Sequence, residues 1–152
     1  MQLQEPSPDQ VMSAKILIVE DEFLVAMNLE SVVEDLGYQA VGIAPDRESA
    51  LQLADEEPDV AFVDLNLRDG LTGPQIGKAL SERGISVIYV TANPRILGDG
   101  VPGTLGVMPK PCDGRTIAGA LDYALMVRRG VPALPPPFII PFGQAGGSQR
   151  HV

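Results

Sequence analysis

Four apolar runs in this chain each end on a polar side chain, and the types of those side chains define a chemistry. Val60-Ala61-Phe62-Val63 leads straight into the carboxylate of Asp64, and Lys15-Ile16-Leu17-Ile18-Val19 is stopped by the acidic pair Glu20-Asp21. Ser86-Val87-Ile88-Tyr89-Val90 ends in the hydroxyl of Thr91, and a short run through Met108 is followed by Pro109, the ammonium of Lys110 and Pro111. Carboxylates brought to hydrogen-bonding distance repel one another unless a cation joins them. Hard oxygen ligands select Mg²⁺, which holds one or two protein carboxylates and keeps waters and a phosphoryl oxygen in its remaining positions. A carboxylate between such an ion and a lysine can attack a phosphoryl group, because the cations absorb charge in the transition state. The Thr91 hydroxyl and the backbone at Ala92 would then hold the product oxygens.

This chemistry requires a fold that brings the run ends together. Val60 to Val63 is too short for a helix and rich in β-formers, and continuous apolar sequence fits a strand buried on both faces of a parallel sheet. Between the runs lie helical patterns. One carries Val25, Leu29, Val32 and Leu36 and stops at Gly37; a short one is capped by Asp46 and carries Ala50, Leu53 and Ala54. A third starts near Pro74 with Ile76, Ala79 and Leu80, and the last is capped by Asp113 with Ile117, Leu121, Ala124 and Leu125. Gln39–Ala44 supplies another strand, and Leu105–Met108 a short fifth one. The stretch from Asn93 to Gly106 is rich in glycine and proline, so a helix there is short or absent. The alternation predicts an α/β, doubly wound parallel sheet of five strands with helices on both faces. Ligands bind such sheets outside the carboxyl ends of the strands, where strand order reverses.

Composition narrows the classes further. A formal charge of −9 over 152 residues argues against nucleic-acid binding, which calls for a basic patch. Cys112 is the only cysteine, so one chain builds no disulfide or cysteine zinc site. The only histidine, His151, lies two residues from the end, which leaves no Ser-His-Asp arrangement within the chain. Neither a signal-peptide pattern nor an apolar run of membrane-spanning length is present, and the expected compartment is cytoplasmic.

Ile-Leu-Ile-Val-Glu20-Asp21-Glu22, Val-Asp64-Leu-Asn66-Leu, Val-Thr91-Ala92-Asn93 and Pro-Lys110-Pro111, in that order, resemble the receiver domain of two-component response regulators across about residues 14–129. The resemblance implies a flavodoxin-like fold in which Asp64 accepts a phosphoryl group from the phosphohistidine of a sensor kinase, in a Mg²⁺-dependent reaction. It implies metal ligation by Asp21, by Asp64 and by the backbone carbonyl of Asn66, with Glu20 acting through water. Lys110 would pair with the phosphoryl group and form a cis bond to Pro111, and Thr91 would be the hydroxyl that moves onto the phosphate. Asn66 and Asn93 occupy positions that modulate phosphoryl lifetime in the family. The position three before the lysine, usually aromatic, is Val107, and Cys112 stands where a bulky apolar residue is common.

Three parts follow: a loose leader over 1–13, the receiver domain over 14–130, and a Pro-rich tail over 131–152. The tail carries the apolar knot Phe138-Ile139-Ile140-Pro141-Phe142, either packed on its own domain or projected by Pro135-Pro136-Pro137 as an arm for a homodimer. Nothing after residue 130 resembles an output domain, so the expectation is a stand-alone receiver that works through protein contacts and is not an enzyme. The loose similarity to single-domain regulators of alphaproteobacterial stress or light signalling points to a kinase of that type. Two alternatives stand beside this reading. One is a receiver-like scaffold or phosphate sink. The other is a phosphohydrolase of the haloacid dehalogenase type, which wants a second carboxylate where this chain has Asn66.

Overall fold

The computed structural model describes residues 14–142. Parallel strands β1 (Lys15–Val19), β2 (Gln39–Ala44), β3 (Val60–Asp64), β4 (Ser86–Thr91) and β5 (Gly106–Pro109) alternate with helices α1 (Phe23–Asp35), α2 (Arg47–Leu53), α3 (Gly73–Glu82) and α4 (Gly114–Arg128). A two-residue strand, β6 (Ile140–Pro141), completes a sheet ordered β2-β1-β3-β4-β5-β6.

Strand alternation divides the core into two layers, because successive side chains point to opposite faces. Ile16, Ile18, Phe62, Ile88 and Val90 meet Ala26, Leu29 and Val33 of α1 and Ile117, Leu121 and Ala124 of α4. Leu17, Val19, Ala61, Val63 and Tyr89 meet Ala50 of α2 with Ile76 and Leu80 of α3 on the other face. β3 is buried at every position, from Val60 to Asp64. Each large apolar side chain so enclosed contributes about 1.5–3 kcal/mol relative to exposure.

Two of the helices, α2 and α4, start on side-chain caps. Asp46 accepts from the Ser49 N–H at the start of α2. Asp113 and Thr116 exchange bonds in a capping box that opens α4 shortly after the end of β5. Between β4 and β5 only a 3-10 turn, Pro94–Leu97, interrupts the loop, in line with the expected short or irregular element.

Two expectations need correction. The sheet has six strands, not five, and it is mixed: β6 runs antiparallel to β5, with Val107 opposite Ile140 and Gly106 opposite Pro141. The buried stripe of α1 is Ala26, Leu29 and Val33, whereas Val25 is 37% exposed; the small Ala26 lets the helix lie close to the sheet and takes the place read for a larger residue. Of the two readings of the apolar knot, the structure shows the first: the knot is seated on the chain's own sheet, with Ile139 buried in one core layer and Phe142 in the other. The leader over 1–13 and residues 143–152, His151 among them, lie outside the described residues. Among the described residues no helix is long and apolar enough to cross a membrane.

Candidate functional site

β1 and β3 are neighbours while β2 lies on the far side of β1, so strand order reverses between them, and their carboxyl ends open onto one cleft. β1 delivers Glu20 and Asp21 there, β3 delivers Asp64, β4 delivers Thr91, and the turn after β5 delivers Lys110. The Lys110 ammonium donates to Glu20 Oε1 at 2.9 Å and to Asp64 Oδ2 at 3.0 Å. The remaining carboxylate oxygens take backbone donors: Glu22 N–H reaches Glu20 Oε2 at 3.0 Å, and Leu65 N–H reaches Asp64 Oδ1 at 2.7 Å. Glu20 and Asp64 are buried. The Lys110–Pro111 peptide is cis.

Asp21, Asp64, Asn66, Thr91, Ala92, Asn93 and Lys110 all line this cleft of about 310 Å³. The Thr91 hydroxyl accepts from the Asn93 N–H at 3.1 Å, which ties it to the start of its own loop. Val107 is absent from the cleft lining; its side chain is buried in the core layer that holds Tyr89. Pro111 and Cys112 line an adjoining, largely apolar pocket of about 340 Å³ with Leu24, Val25 and Phe62; Asp64 and Lys110 form the wall between the two spaces, with Glu20 on the apolar pocket's side.

Charge at this wall is held in tension. Burial pushes the Glu20 carboxyl above its ordinary range and the Asp64 charge adds to that, against the Glu22 N–H and Lys110 that pull it down. Burial alone would lower the Lys110 ammonium, but its bonds to Glu20 and Asp64 outweigh this and raise it. Carboxylate oxygens of Glu20, Asp21 and Asp64 lie within 4.8 Å of one another, a donor set of hard oxygens that suits a divalent cation. Replacing Glu20 by glutamine tests this balance. Without metal, Glu20→Gln should be more stable by about 1 kcal/mol, since a buried charge that is costly to ionise has been removed. The same variant should bind Mg²⁺ more weakly in a calorimetric titration. A lower melting temperature and unchanged metal affinity would contradict this account of Glu20.

Sequence reasoning missed the residue that seats Asp64 from behind. Gly73 opens α3 and donates to the Leu65 carbonyl at 3.0 Å. A Cβ there would overlap the Asp64 carbonyl oxygen and stand 2.9 Å from the Asp64 carbonyl carbon. Only glycine lets the helix start this close to the acceptor strand. Gly73→Ala should therefore cost about 1–3 kcal/mol in a denaturant melt, as overpacking does. The sequence carried a signal in Gly73-Pro74, but it read as an ordinary helix start. The apolar pocket was also missed, because Leu24 and Cys112 come together only once α1 and the turn after β5 are placed.

The family model described as the response regulator receiver domain matches residues 16–122. The chain belongs to this family. Among curated relatives it is 34% identical over 122 residues to the phyllosphere-induced regulator PhyR of Methylorubrum extorquens, covering 78% of this chain and 46% of that protein. It is 29% identical over 132 residues to the transcriptional regulatory protein PdtaR of Mycobacterium tuberculosis, covering 83% of this chain and 63% of that protein. The chain thus spans roughly half of PhyR and under two thirds of PdtaR. Among solved structures, the receiver domain of Erythrobacter litoralis PhyR aligns with a TM-score of 0.70 at 31% identity, covering 80% of this chain and 97% of that one. The receiver fold is therefore shown by sequence and by structure.

Proposed function

We propose that this receiver is a phosphoacceptor in a two-component phosphorelay, with Asp64 as the acceptor and a sensor kinase phosphohistidine as the donor. The observation that carries this reading is the Asp64 carboxylate itself: buried, bonded at Oδ2 by the Lys110 ammonium and at Oδ1 by the Leu65 N–H, yet open to a cleft lined by Thr91, Ala92 and Asn66. In the transfer, an Asp64 oxygen forms a bond to phosphorus as the N–P bond breaks, and the electron pair returns to the imidazole nitrogen. Asp21, Asp64 and the Asn66 backbone carbonyl would hold Mg²⁺, with Glu20 reaching it through water. That ion would supply charge neutralisation at the transferring phosphoryl group.

Lys110 would bind phosphoryl oxygens, and the Ala92 N–H and Thr91 hydroxyl would take the remaining ones. The reaction ends on the protein itself, so the chain is a switched signalling component, not an enzyme acting on a separate substrate. Exposed Phe23, Leu24 and Met27 at the start of α1, of which Leu24 lines the adjoining apolar pocket, offer an apolar patch on which a donor can dock. The donor kinase in this reading is of the alphaproteobacterial stress or light type. Output runs through protein contacts. Intact mass after incubation with Mg²⁺ and a small phosphoryl donor tests the reading: one phosphoryl group gained, and none without Mg²⁺. No gain, together with no response to beryllofluoride in NMR spectra, would overturn it.

A further inference from the structure

The tail segment Phe138–Phe142 sits in a receptor that the rest of the chain has shaped for it. Gly106 of β5 is the clearest sign, since every nearest atom to a Cβ there belongs to the tail: the Ile140 carbonyl oxygen at 2.5 Å, Ile139 Cγ2 at 3.0 Å and Pro141 Cα at 3.1 Å. Gly119 of α4 repeats the pattern, with only the Phe138 ring near its open side, at 2.7 Å. Gly100, in the loop between β4 and β5, lies directly on the Phe142 ring. Ile139 and Phe142 are buried, while Ile140 between them is 50% exposed.

What holds this segment is slight in backbone terms and large in side-chain terms. β6 pairs over two residues, one of them a proline without an N–H, and Phe142 N–H donates to the Leu105 carbonyl at 3.0 Å. The Phe142 ring sits 6.3 Å from the Tyr89 ring, and Leu97 and Val101 pack on the same cluster. The clasp over Phe142 is therefore the loop that begins at Thr91. Asn93 N–H is bound to the Thr91 hydroxyl, the 3-10 turn Pro94–Leu97 follows, and Gly100 and Val101 cover the ring. Thr91 and Asn93 thus join the cleft to the first residues of that clasp.

We propose that Phe138–Phe142 is a releasable strap, and that occupation of the Asp64 site opens the clasp so that two copies exchange straps across their β5 edges. The inference rests on the phosphoacceptor reading. A released copy presents both a free strap and an empty edge built to receive the same sequence, so two copies are self-complementary about a two-fold axis. Exchange re-forms between the two copies the same packing that release opens within each, and it requires no new surface. An empty β5 edge would otherwise present unpaired backbone groups, which favours capture of a matching strand.

The test uses the full chain with Mg²⁺ and beryllofluoride, followed by NMR at Asp64–Asn66 and Lys110, by amide exchange at Phe142 and by mass from light scattering. The expected result is a shift at the site, Phe142 exchange faster by about tenfold or more at low protein concentration, and an about twofold mass at high concentration. Gly106→Val blocks the edge toward any strap. It should still show the shift at the site, exchange Phe142 rapidly even without beryllofluoride, and stay at single-chain mass. Gly119→Ala, which favours the helix and forces the Phe138 ring to shift, should also exchange Phe142 faster than the wild type without beryllofluoride, and guards against a folding defect at Gly106. A site shift with Phe142 exchange or mass unchanged overturns the strap exchange while leaving the phosphoacceptor reading intact. Absence of the site shift itself removes the phosphoacceptor reading, and the strap proposal with it.

Discussion

Asp64→Asn should fold, keep the cleft and gain no phosphoryl group under conditions in which the wild type gains one. The substitution preserves shape. Its carbonyl oxygen can keep the 2.7 Å bond from the Leu65 N–H, and Lys110 retains Glu20 as a partner at 2.9 Å. What disappears is the charged oxygen nucleophile, because an amide at this position cannot form an acyl phosphate. Stability should change by only about 1 kcal/mol, since one buried carboxylate and its repulsion with Glu20 leave together. The assignment is specific because Asp21 and Glu20 stand in the same cluster and are chemically competent. Both differ from Asp64 in setting: Glu20 is not part of the lining of the cleft that holds Thr91 and Ala92, and Asp21 has no bond to Lys110. Phosphoryl uptake by the variant equal to wild type, seen as the same intact-mass gain, would move the acceptor to one of them.

The site was legible in the sequence because its residues sit at the ends of strands, where local pattern and chemistry coincide. Val60–Val63 could be read as a central strand from its unbroken apolar run, and β3 is buried at every residue. Once the strands are parallel, their carboxyl ends share an edge, so Glu20, Asp21, Asp64 and Thr91 had to converge. The pairing of Lys110 with both Glu20 and Asp64 was less legible, since it spans 90 and 46 residues of chain. Gly73 was invisible for a different reason. Its role is a close approach between a helix start and β3, and the one signal in the sequence, Gly73-Pro74, reads equally as an ordinary helix start. β6 escaped because two residues have no periodicity and a proline argues against a strand; only the edge position of β6 makes Pro141 acceptable there. In α1 the apolar residues outnumber the buried places, so Phe23, Leu24 and Met27 remain exposed; Leu29 is buried as expected and Val32 and Leu36 pack at the edge of the core, while Ala26 takes the place read for Val25.

Lys110→Ala should reveal what the ammonium does when no metal is present. In metal-free buffer the variant leaves Glu20 and Asp64 facing each other with 4% and 10% of their side chains exposed. Breaking a buried pair in this way costs about 3 kcal/mol, the low end of the usual range because the cleft side is open to water. Denaturant melts read that loss, and Lys110→Met, which keeps the aliphatic stem, separates the charge from the packing. The penalty should shrink as pH falls, because Glu20, already raised, takes up a proton and relieves the repulsion. In the wild type the sign is set by Lys110 being raised: its contribution is fully present below the unfolded value of 10.5 and is lost as pH rises through the folded one. Mg²⁺ should rescue the variant more than it stabilises the wild type, since the ion enters a cluster from which a competing cation has been removed. Phosphoryl uptake should nevertheless fall by about 10²–10³-fold, the usual effect of removing one electrostatic partner of the developing charge. Stability and transfer then respond oppositely to the same ion. Equal rescue of both by Mg²⁺ would mean that Lys110 serves only to neutralise the carboxylates, and has no part in receiving the phosphoryl group.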